Sequence, residues 1–267
     1  MSGPNQRYHD RIAPRYDDVY AEDPYWDLYH DVSWRGMKPY LPRDLGKQVL
    51  DAGCGTGLYG LRLAKSRFRV VFSDLSRKML DVTERKIAER FASAGHECVQ
   101  ADITDLAPFT DEQFSFVVAQ GDPLSFSSDW RRALGSIARV LVPGGTAVLS
   151  VDARYGACEP FIERGRLEEL QRFLESGKSE WLADRKEERF PLHAFTPAEL
   201  RVGAESAGFD VLKLFGKMVF APRHQPDLYA DPERRRQLLE LEEKWHATEL
   251  GLGRAHHLQI ALRKRAP

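Results

Sequence analysis

One segment of the 267-residue chain reads Val49-Leu50-Asp51-Ala52-Gly53-Cys54-Gly55-Thr56-Gly57. Its apolar start predicts a buried strand, and its glycines predict a turn into a helix from about Leu58 to Ala64. Glycines at three alternate positions leave no Cβ on one side of the turn, so a ligand can lie against the backbone and accept hydrogen bonds from its N–H groups. The segment therefore predicts a cofactor-binding loop.

The spacing of the glycines decides which class of cofactor the loop suits. A dinucleotide fingerprint needs Gly-x-Gly-x-x-Gly, but counting from Gly53 places Leu58 at the third glycine position. The observed pattern, Asp-x-Gly-x-Gly-x-Gly, resembles motif I of the class I S-adenosylmethionine (SAM)-dependent methyltransferases. The resemblance implies SAM contacts for five loop residues, which are Asp51, Gly53, Cys54, Gly55 and Gly57.

Composition excludes several other classes of function. Lys and Arg number 39 against 40 Asp and Glu, for a formal net charge of −1, so no surface for nucleic-acid phosphates is predicted. No apolar run reaches membrane-spanning length, and the N-terminus is unlike a signal or transit peptide. The three cysteines are odd in number and widely spaced, which indicates reduced thiols and no metal site. We expect a soluble, cytoplasmic protein with no nucleic-acid, membrane or metal partner.

Residues 1–45 are rich in aromatic side chains and are predicted to form an N-terminal cap over the cofactor pocket. Aromatic rings also suit the SAM sulfonium, because a cation over a ring face gains roughly 0.5–2 kcal/mol. The stretch from Ala13 to Asp17 resembles the Ala-x-x-Tyr-Asp element that precedes motif I in many small-molecule methyltransferases, which implies that Tyr16 lies near SAM. The alternative is a tyrosine that pins an N-terminal helix to the core.

Asp74 ends a second predicted strand, 23 residues beyond Asp51. Folds of the dinucleotide-binding type place a carboxylate on the ribose hydroxyls at about this interval. We therefore predict that Asp74 binds the SAM ribose; the alternative is an N-cap for the next helix. Leu75 and Met79 are then predicted to lie near the adenine, although either could belong to the core.

Asp102 ends a third predicted strand, from Cys98 to Ile103. In the resemblance this is motif III, in which Asp102 and the backbone of Ile103 read the amino edge of adenine. A carboxylate that only accepts hydrogen bonds suits an exocyclic amine. The alternative is an acid in a surface turn.

A fourth predicted strand ends in Gln120-Gly121-Asp122-Pro123. Open α/β sheets bind their ligands at the carboxyl ends of central strands, so Gln120 and Asp122 are predicted to face the methyl donor and acceptor. Asp122-Pro123 matches only part of the Asp/Asn-Pro-Pro-aromatic motif of amino-group methyltransferases. Leu124 and Ser125 depart from that motif, so its specificity is not carried over.

The remaining patterns predict the architecture. Strands and helices alternate up to Asp152, which predicts a parallel sheet with helices on both faces. Thr196-Pro197-Ala198-Glu199 is typical of a helix N-terminus, and the run from His257 to Arg263 predicts an antiparallel strand beside the fifth. We predict an α/β, doubly wound, Rossmann-like sheet of seven mostly parallel strands with an antiparallel last strand, in a domain spanning residues 46–267.

Two insertions into this domain are predicted, at about residues 153–194 and 222–255. The first carries a helical segment from Phe161 to Glu175 and resembles a lid over the substrate side. The second carries a helix from Pro232 to about Leu250 with an apolar stripe of Leu238, Leu241 and Trp245. Such a stripe either packs on its own domain or forms a dimer contact, so a monomer and a homodimer both stay open.

The resemblance implies transfer of a methyl group from SAM to an O, N or S atom of a small molecule, carbon being least favoured, with S-adenosylhomocysteine as product. Holding the groups in line contributes roughly 7–11 kcal/mol. A protonated acceptor needs a base within hydrogen-bond reach, and Asp122 and His193 are the candidates, although a structural role for His193 is favoured. Two alternatives remain: a non-catalytic SAM-binding sensor or assembly protein, and an NAD-dependent oxidoreductase.

Overall fold

The computed structural model describes residues 3–21, 23–91, 95–181, 183–221, 225 and 227–266. The strands are β1 (Gln48–Ala52), β2 (Arg69–Asp74), β3 (Glu97–Gln100), β4 (Phe114–Ala119), β5 (Leu141–Asp152), β6 (Lys178–Trp181), β7 (Phe190–His193), β8 (Phe209–Lys217) and β9 (His257–Lys264). Within the described residues, seven strands form one sheet in the order β3-β2-β1-β4-β5-β9-β8, and β6 pairs with β7 in a hairpin.

The pairing directions confirm the predicted fold class. Strands β3, β2, β1, β4 and β5 run parallel to one another, whereas β9 runs antiparallel to both β5 and β8. The last strand of the chain is therefore the antiparallel one, placed beside the fifth as predicted.

The helices cover both faces of this sheet. They are α1 (Pro4–Ile12), α2 (Tyr16–Ala21), α3 (Pro24–Met37), α4 (Leu58–Lys65), α5 (Arg77–Phe91), α6 (Trp130–Val140), α7 (Glu159–Glu163), α8 (Leu167–Ser176), α9 (Pro197–Ser206), α10 (Asp227–Ala230), α11 (Pro232–Trp245) and α12 (Glu249–Arg254). None of the helices in the described ranges is long and apolar enough to cross a membrane.

Because side chains alternate in direction along the central strands, the sheet has a hydrophobic core on each face. Val49 and Leu50 are both fully buried, but Val49 joins the core that contains Leu61 of α4, whereas Leu50 joins the core that contains Leu134 of α6. Successive strand residues point to opposite faces, so both faces need a helical cover. Helices therefore cover both faces of the sheet, which leaves the ends of the strands for a binding site.

The N-terminal helices pack on three parts of the domain. Helix α1 contacts α5, and α3 contacts α11, β8 and β9. A third apolar cluster joins α3 to α11, with Tyr25 and Leu28 from the former and Leu238 and Leu239 from the latter. The predicted stripe on α11 is only partly buried, because 43% of Leu241 and 38% of Trp245 remain exposed.

Several predicted boundaries were wrong. The segment from Phe161 to Glu175 is two helices, α7 and α8, with Gly165 at φ 66° between them. After it, Lys178–Trp181 pairs with Phe190–His193 as the β6–β7 hairpin. Helix α11 ends at Trp245, and α12 begins at Glu249. The first prediction failed because a glycine with positive φ interrupts the helix.

Strands β3 and β5 also differ from prediction. β3 ends at Gln100; the N–H of Ala101 still donates to the carbonyl of Asp74 on β2, and the chain then turns. β5 begins at Leu141, and its register with β4 shifts across the Pro-Gly-Gly segment, which leaves the ladder as a bulge. Helix α9 is capped as predicted: the Thr196 hydroxyl accepts a hydrogen bond from the Glu199 N–H at 3.1 Å.

Candidate active site

The glycine loop joins β1 to α4, and each of its glycines has positive φ: 70° at Gly53, 54° at Gly55 and 87° at Gly57. A Cβ at Gly53 would lie 2.6 Å from Pro123, and a Cβ at Gly57 would lie 2.9 Å from Thr83. At Gly55 the nearest atom would be 3.9 Å away, on the Tyr16 ring. Of the three glycines, Gly55 therefore offers the open side that a ligand needs.

The loop N–H groups hold the loop itself. Gly53 and Cys54 donate to the Ser73 carbonyl, Gly57 donates to the Cys54 carbonyl, and Gly55 donates to Asp74 Oδ2 at 2.8 Å. These N–H groups donate to the protein itself, so hydrogen bonds from them to a ligand stay a prediction. They fix the shape of the loop, and the side of Gly55 without a Cβ faces the Tyr16 ring.

Asp51, at the end of β1, contacts Gly60, a glycine that the spacing rule for dinucleotide loops does not include. Its carboxylate is buried and accepts from the Gly60 N–H at 2.7 Å. A Cβ at Gly60 would lie 2.2 Å from the Phe72 ring, so only glycine lets α4 pack this closely on β2. Burial raises the pKa of Asp51 to about 7, against the opposing effect of the Gly60 N–H.

Asp74 closes β2 beside the open side of Gly55. Its oxygens accept from the N–H groups of Gly55 and Ser76, both at 2.8 Å. Burial raises the pKa of Asp74, while nearby His9 and these two N–H groups act to lower it. A carboxylate has about four acceptor positions, so two protein donors leave room for ribose hydroxyls.

Other predicted cofactor residues have mainly local partners. Asp102 Oδ1 accepts from the N–H and hydroxyl of Thr104, both at 2.8 Å. Ile103 and Met79 are buried, and Leu75 is half-buried. Burial raises the pKa of the Cys54 thiol well above its usual range, which keeps it protonated. Their SAM contacts stay predictions.

An aromatic row, defined as Tyr16, Tyr20, Trp26 and Tyr29, leads away from Gly55. Its successive ring centroids lie 4.7, 5.0 and 5.4 Å apart. Its far end reaches the tip of β4, because the Tyr29 hydroxyl donates to Asp122 Oδ2 at 3.5 Å. The row therefore connects the cofactor loop to the predicted acceptor side.

Asp122 follows β4 in an unusual conformation and belongs to a buried cluster. It has φ 64°, a conformation that few residues other than glycine adopt. Its Oδ2 lies 2.8 Å from His257 Nδ1, which lies 3.6 Å from Asp152 Oδ1. Although burial acts to raise it, the pKa of Asp122 is lowered to about 2 by His257 and Lys217.

Sequence reasoning missed His257 and Asp152, which with Asp122 are called the Asp-His-Asp cluster. No spacing signal links positions 122, 152 and 257, since only the sheet brings them together. One ligand atom from each lies within 4.8 Å of the others. Such a set can hold a metal ion, so the expected absence of metal stays a prediction.

Lys217, at the end of β8, was also missed. It is fully buried, and its Nζ donates to Ser33 Oγ at 3.1 Å and to Gln120 Oε1 at 3.4 Å. The ammonium also lies 3.9 Å from the centre of the Tyr29 ring. Burial lowers the pKa of Lys217 to about 7, although Asp122 and Asp152 act to raise it. Gln120, predicted to face SAM, is engaged by this lysine.

His193, the other predicted base, contacts residues outside the Asp-His-Asp cluster. Its Nε2 is 3.1 Å from Glu199 Oε1, and its ring stacks on Trp130 with centroids 5.7 Å apart. Burial lowers the pKa of His193 against the effect of Glu199. None of these partners belongs to the predicted cofactor set or to the Asp-His-Asp cluster, so catalysis by His193 stays a prediction without a supporting contact.

Part of the chain is similar to known methyltransferases. Residues 49–145 match a family model described as a methyltransferase domain. This range holds the glycine loop, Asp74, Asp102 and Asp122. This part of the chain is therefore similar to methyltransferase domains, and the sheet has the fold of solved SAM-dependent methyltransferases.

Particular relatives differ in what they methylate. The chain is 36% identical over 121 residues to a cypemycin N-terminal methyltransferase from Streptomyces, covering 44% of this chain and 46% of that protein. It is 24% identical over 245 residues to the tRNA 5-carboxymethoxyuridine methyltransferase of Escherichia coli, covering 89% and 88%. The chain spans about half the length of the first curated relatives it matches.

A solved structure shares the fold. A SAM-dependent methyltransferase from Methanosarcina mazei superposes with a TM-score of 0.61 at 20% identity, covering 86% of this chain and 97% of that one.

Proposed function

We propose that the protein transfers the methyl group of SAM to an O, N or S atom of a small-molecule acceptor and releases S-adenosylhomocysteine. One observation carries the proposal. The open side of Gly55 lies beside Asp74 and under Tyr16, and the aromatic row leads from there to a buried carboxylate at Asp122. The match of residues 49–145 to a methyltransferase domain supports this assignment.

The residues at Gly55 fit a nucleoside bearing a sulfonium. Asp74 would accept hydrogen bonds from the ribose hydroxyls, and the absence of a Cβ at Gly55 would admit the ligand against the backbone. The ring of Tyr16, with Tyr20 behind it, would face a cation favourably. When bound, SAM supplies a methyl group that is already activated for transfer.

Asp122 would orient the acceptor. Its Oδ1 is buried and accepts no hydrogen bond from the described residues, so an acceptor hydroxyl or amine could donate to it without displacing a partner. A buried acceptor oxygen without a donor is costly, which favours a ligand at this point.

A small molecule is favoured over RNA as the acceptor. The net charge of −1 supplies little attraction for a phosphate backbone. The tRNA methyltransferase from Escherichia coli favours RNA as the acceptor instead, since it aligns over most of the chain. A tRNA that carries 5-carboxymethoxyuridine therefore belongs in the acceptor panel.

Isothermal titration with SAM, S-adenosylhomocysteine and NADH tests the cofactor assignment. We expect heat from the first two and none from NADH. Asp74→Asn should weaken SAM binding by roughly 10- to 100-fold, because a hydrogen bond to a charged group is worth about 1.5–3 kcal/mol. Asp210→Asn, at an exposed position on β8, is the matched control and should bind normally.

The outcomes separate the alternatives. Binding of NADH without SAM would favour an oxidoreductase. SAM binding with no transfer of labelled methyl to any small molecule or tRNA would favour a sensor or assembly protein. Label on tRNA alone would contradict the small-molecule acceptor.

A further inference from the structure

We propose that His257 is the general base of the acceptor site, positioned by Asp122 and Asp152, and that the acceptor is therefore a hydroxyl or amine that carries its proton at neutral pH. A thiolate would need no such base. This inference rests on the proposed methyl transfer and names both the base and the chemical class of the acceptor.

The position of the cluster supports this role. Asp122 follows β4, Asp152 ends β5, and His257 begins β9, where it pairs in register with Asp152. Because β9 is antiparallel, its first residue meets the carboxyl ends of β4 and β5, the edge where such sheets bind ligands. Pro123 touches Gly53 of the cofactor loop, so the cluster is next to that loop.

The contacts of the imidazole determine which nitrogen can accept a proton. Nδ1 faces two carboxylate oxygens, of Asp122 at 2.8 Å and of Asp152 at 3.6 Å. An ionised carboxylate only accepts hydrogen bonds, so Nδ1 carries the proton and Nε2 carries the lone pair. Asp122 itself, with a pKa of about 2, is too weak a base to take a proton from a hydroxyl.

The charges around His257 favour proton uptake. Among the described residues, Tyr29 of α3 and Lys217 of β8 face the cluster. With Lys217 charged and His257 neutral, the two carboxylates leave the cluster at −1. A proton on His257 brings that sum to zero, and buried charges are most stable when balanced.

The transfer step balances around this residue. A bond forms between the acceptor atom and the methyl carbon, while the carbon–sulfur bond breaks and its electron pair stays on sulfur. The acceptor proton passes to Nε2 of His257, and the resulting imidazolium lies between Asp122 and Asp152. The proton later leaves to solvent, which restores the neutral ring.

Nitrogen NMR of protein labelled with ¹⁵N-histidine tests the tautomer without turnover. His257→Gln assigns the signals by their loss. We expect the Nδ1–H form in the wild type near pH 7, and Asp122→Asn should shift the ring toward a mixture of tautomers. A proton held on Nε2 in the wild-type ring would overturn the proposal.

Turnover provides the second test, with a panel of alcohols, phenols, amines and thiols and methyl-labelled SAM. His257→Gln should lower transfer to the hydroxyl or amine acceptor by roughly 10²- to 10⁴-fold, with SAM affinity unchanged within threefold. The rising limb of the wild-type pH profile should disappear in the variant. His246→Gln, a buried histidine stacked on Phe215, is the matched control and should keep the wild-type profile.

Each remaining outcome has a distinct meaning. A His257→Gln enzyme within threefold of wild type, or transfer to thiols alone, would contradict the base. Loss of transfer with EDTA and recovery with Mg²⁺ would also overturn it and make the cluster a metal site. Absence of SAM binding would instead contradict the proposed function itself.

Discussion

Asp51 and Asp122 stand at the tips of adjacent parallel strands, β1 and β4, and are buried to a similar degree, with 2% and 5% exposed. Their pKa values are shifted in opposite directions. Burial raises the pKa of Asp51 to about 7, whereas the pKa of Asp122 is lowered to about 2 despite burial.

Their partners explain the difference. Asp51 is held by one backbone N–H, from Gly60 nine residues away, which cannot offset desolvation. Asp122 has an imidazole and an ammonium nearby, both brought in by strands at the end of the chain. The proposed nucleoside side is thus built from local backbone, and the proposed acceptor side from distant charged side chains.

Lys217→Met gives the largest effect on the acceptor side. The pKa of Lys217 is lowered from 10.5 to about 7. Between these values the unfolded chain binds a proton that the folded protein does not, so stability rises with pH. The variant should therefore gain on the order of 5 kcal/mol over wild type at pH 6, and the gain should fade toward pH 10.

Urea unfolding at pH 6, 8 and 10 measures this gain. Lys213→Met on the same strand is the control, and its difference from wild type should change little with pH. A gain for Lys217→Met that is equal at all three pH values would contradict the buried charge.

Asp51→Asn tests the raised pKa of the buried carboxyl at the end of β1. The pKa of Asp51 is raised from 3.8 to about 7, so the folded protein binds a proton that the unfolded chain has lost between these values. Wild-type stability should fall across that range by on the order of 4 kcal/mol, and the variant should not show this fall. Chemical unfolding at pH 5 and pH 8 compares the two; in this window the wild type should lose about 3 kcal/mol of the total, and Asp210→Asn should follow the wild type.

Gly60→Ala tests the close packing of α4 on β2 that buries Asp51. The new methyl would lie 2.2 Å from the Phe72 ring, and we expect a loss of about 3 kcal/mol from overpacking. Gly135→Ala is matched, because Gly135 lies in α6 with no atom within 4 Å of the new Cβ. It should gain up to about 1 kcal/mol from helix propensity. Equal melting shifts for the two variants would break the contrast.

Asp122→Asn should show the smallest pH-dependent effect. Lowering the pKa of Asp122 from 3.8 to about 2 stabilises the protein by about 2 kcal/mol above pH 4, and this is lost as pH falls toward 2. The stability gap between wild type and variant should therefore be widest near pH 6 and narrow in acid. A gap that widens below pH 4 would mean that Asp122 is not the ionised partner of His257.

Prediction from sequence succeeded where the signal was short in range. The order of strands and helices up to Asp152 and the Thr196 cap were confirmed, because each depends on residues within one turn or one strand. Helix breaks were missed where one residue, such as Gly165, interrupts an otherwise continuous pattern. The role of Gly60 was missed because the spacing rule for dinucleotides searches for a glycine at Leu58.

The sequence by itself determined the sheet, its winding and the glycine loop, because apolar periodicity and turn residues act over a few positions. Only the tertiary structure decided the buried cluster in which Tyr29, Asp122, Asp152, Lys217 and His257 meet. Hydrogen bonding and charge act through space, and residues 228 positions apart, as Tyr29 and His257 are, leave no common pattern along the chain. Their acidities follow from that assembly and not from any motif.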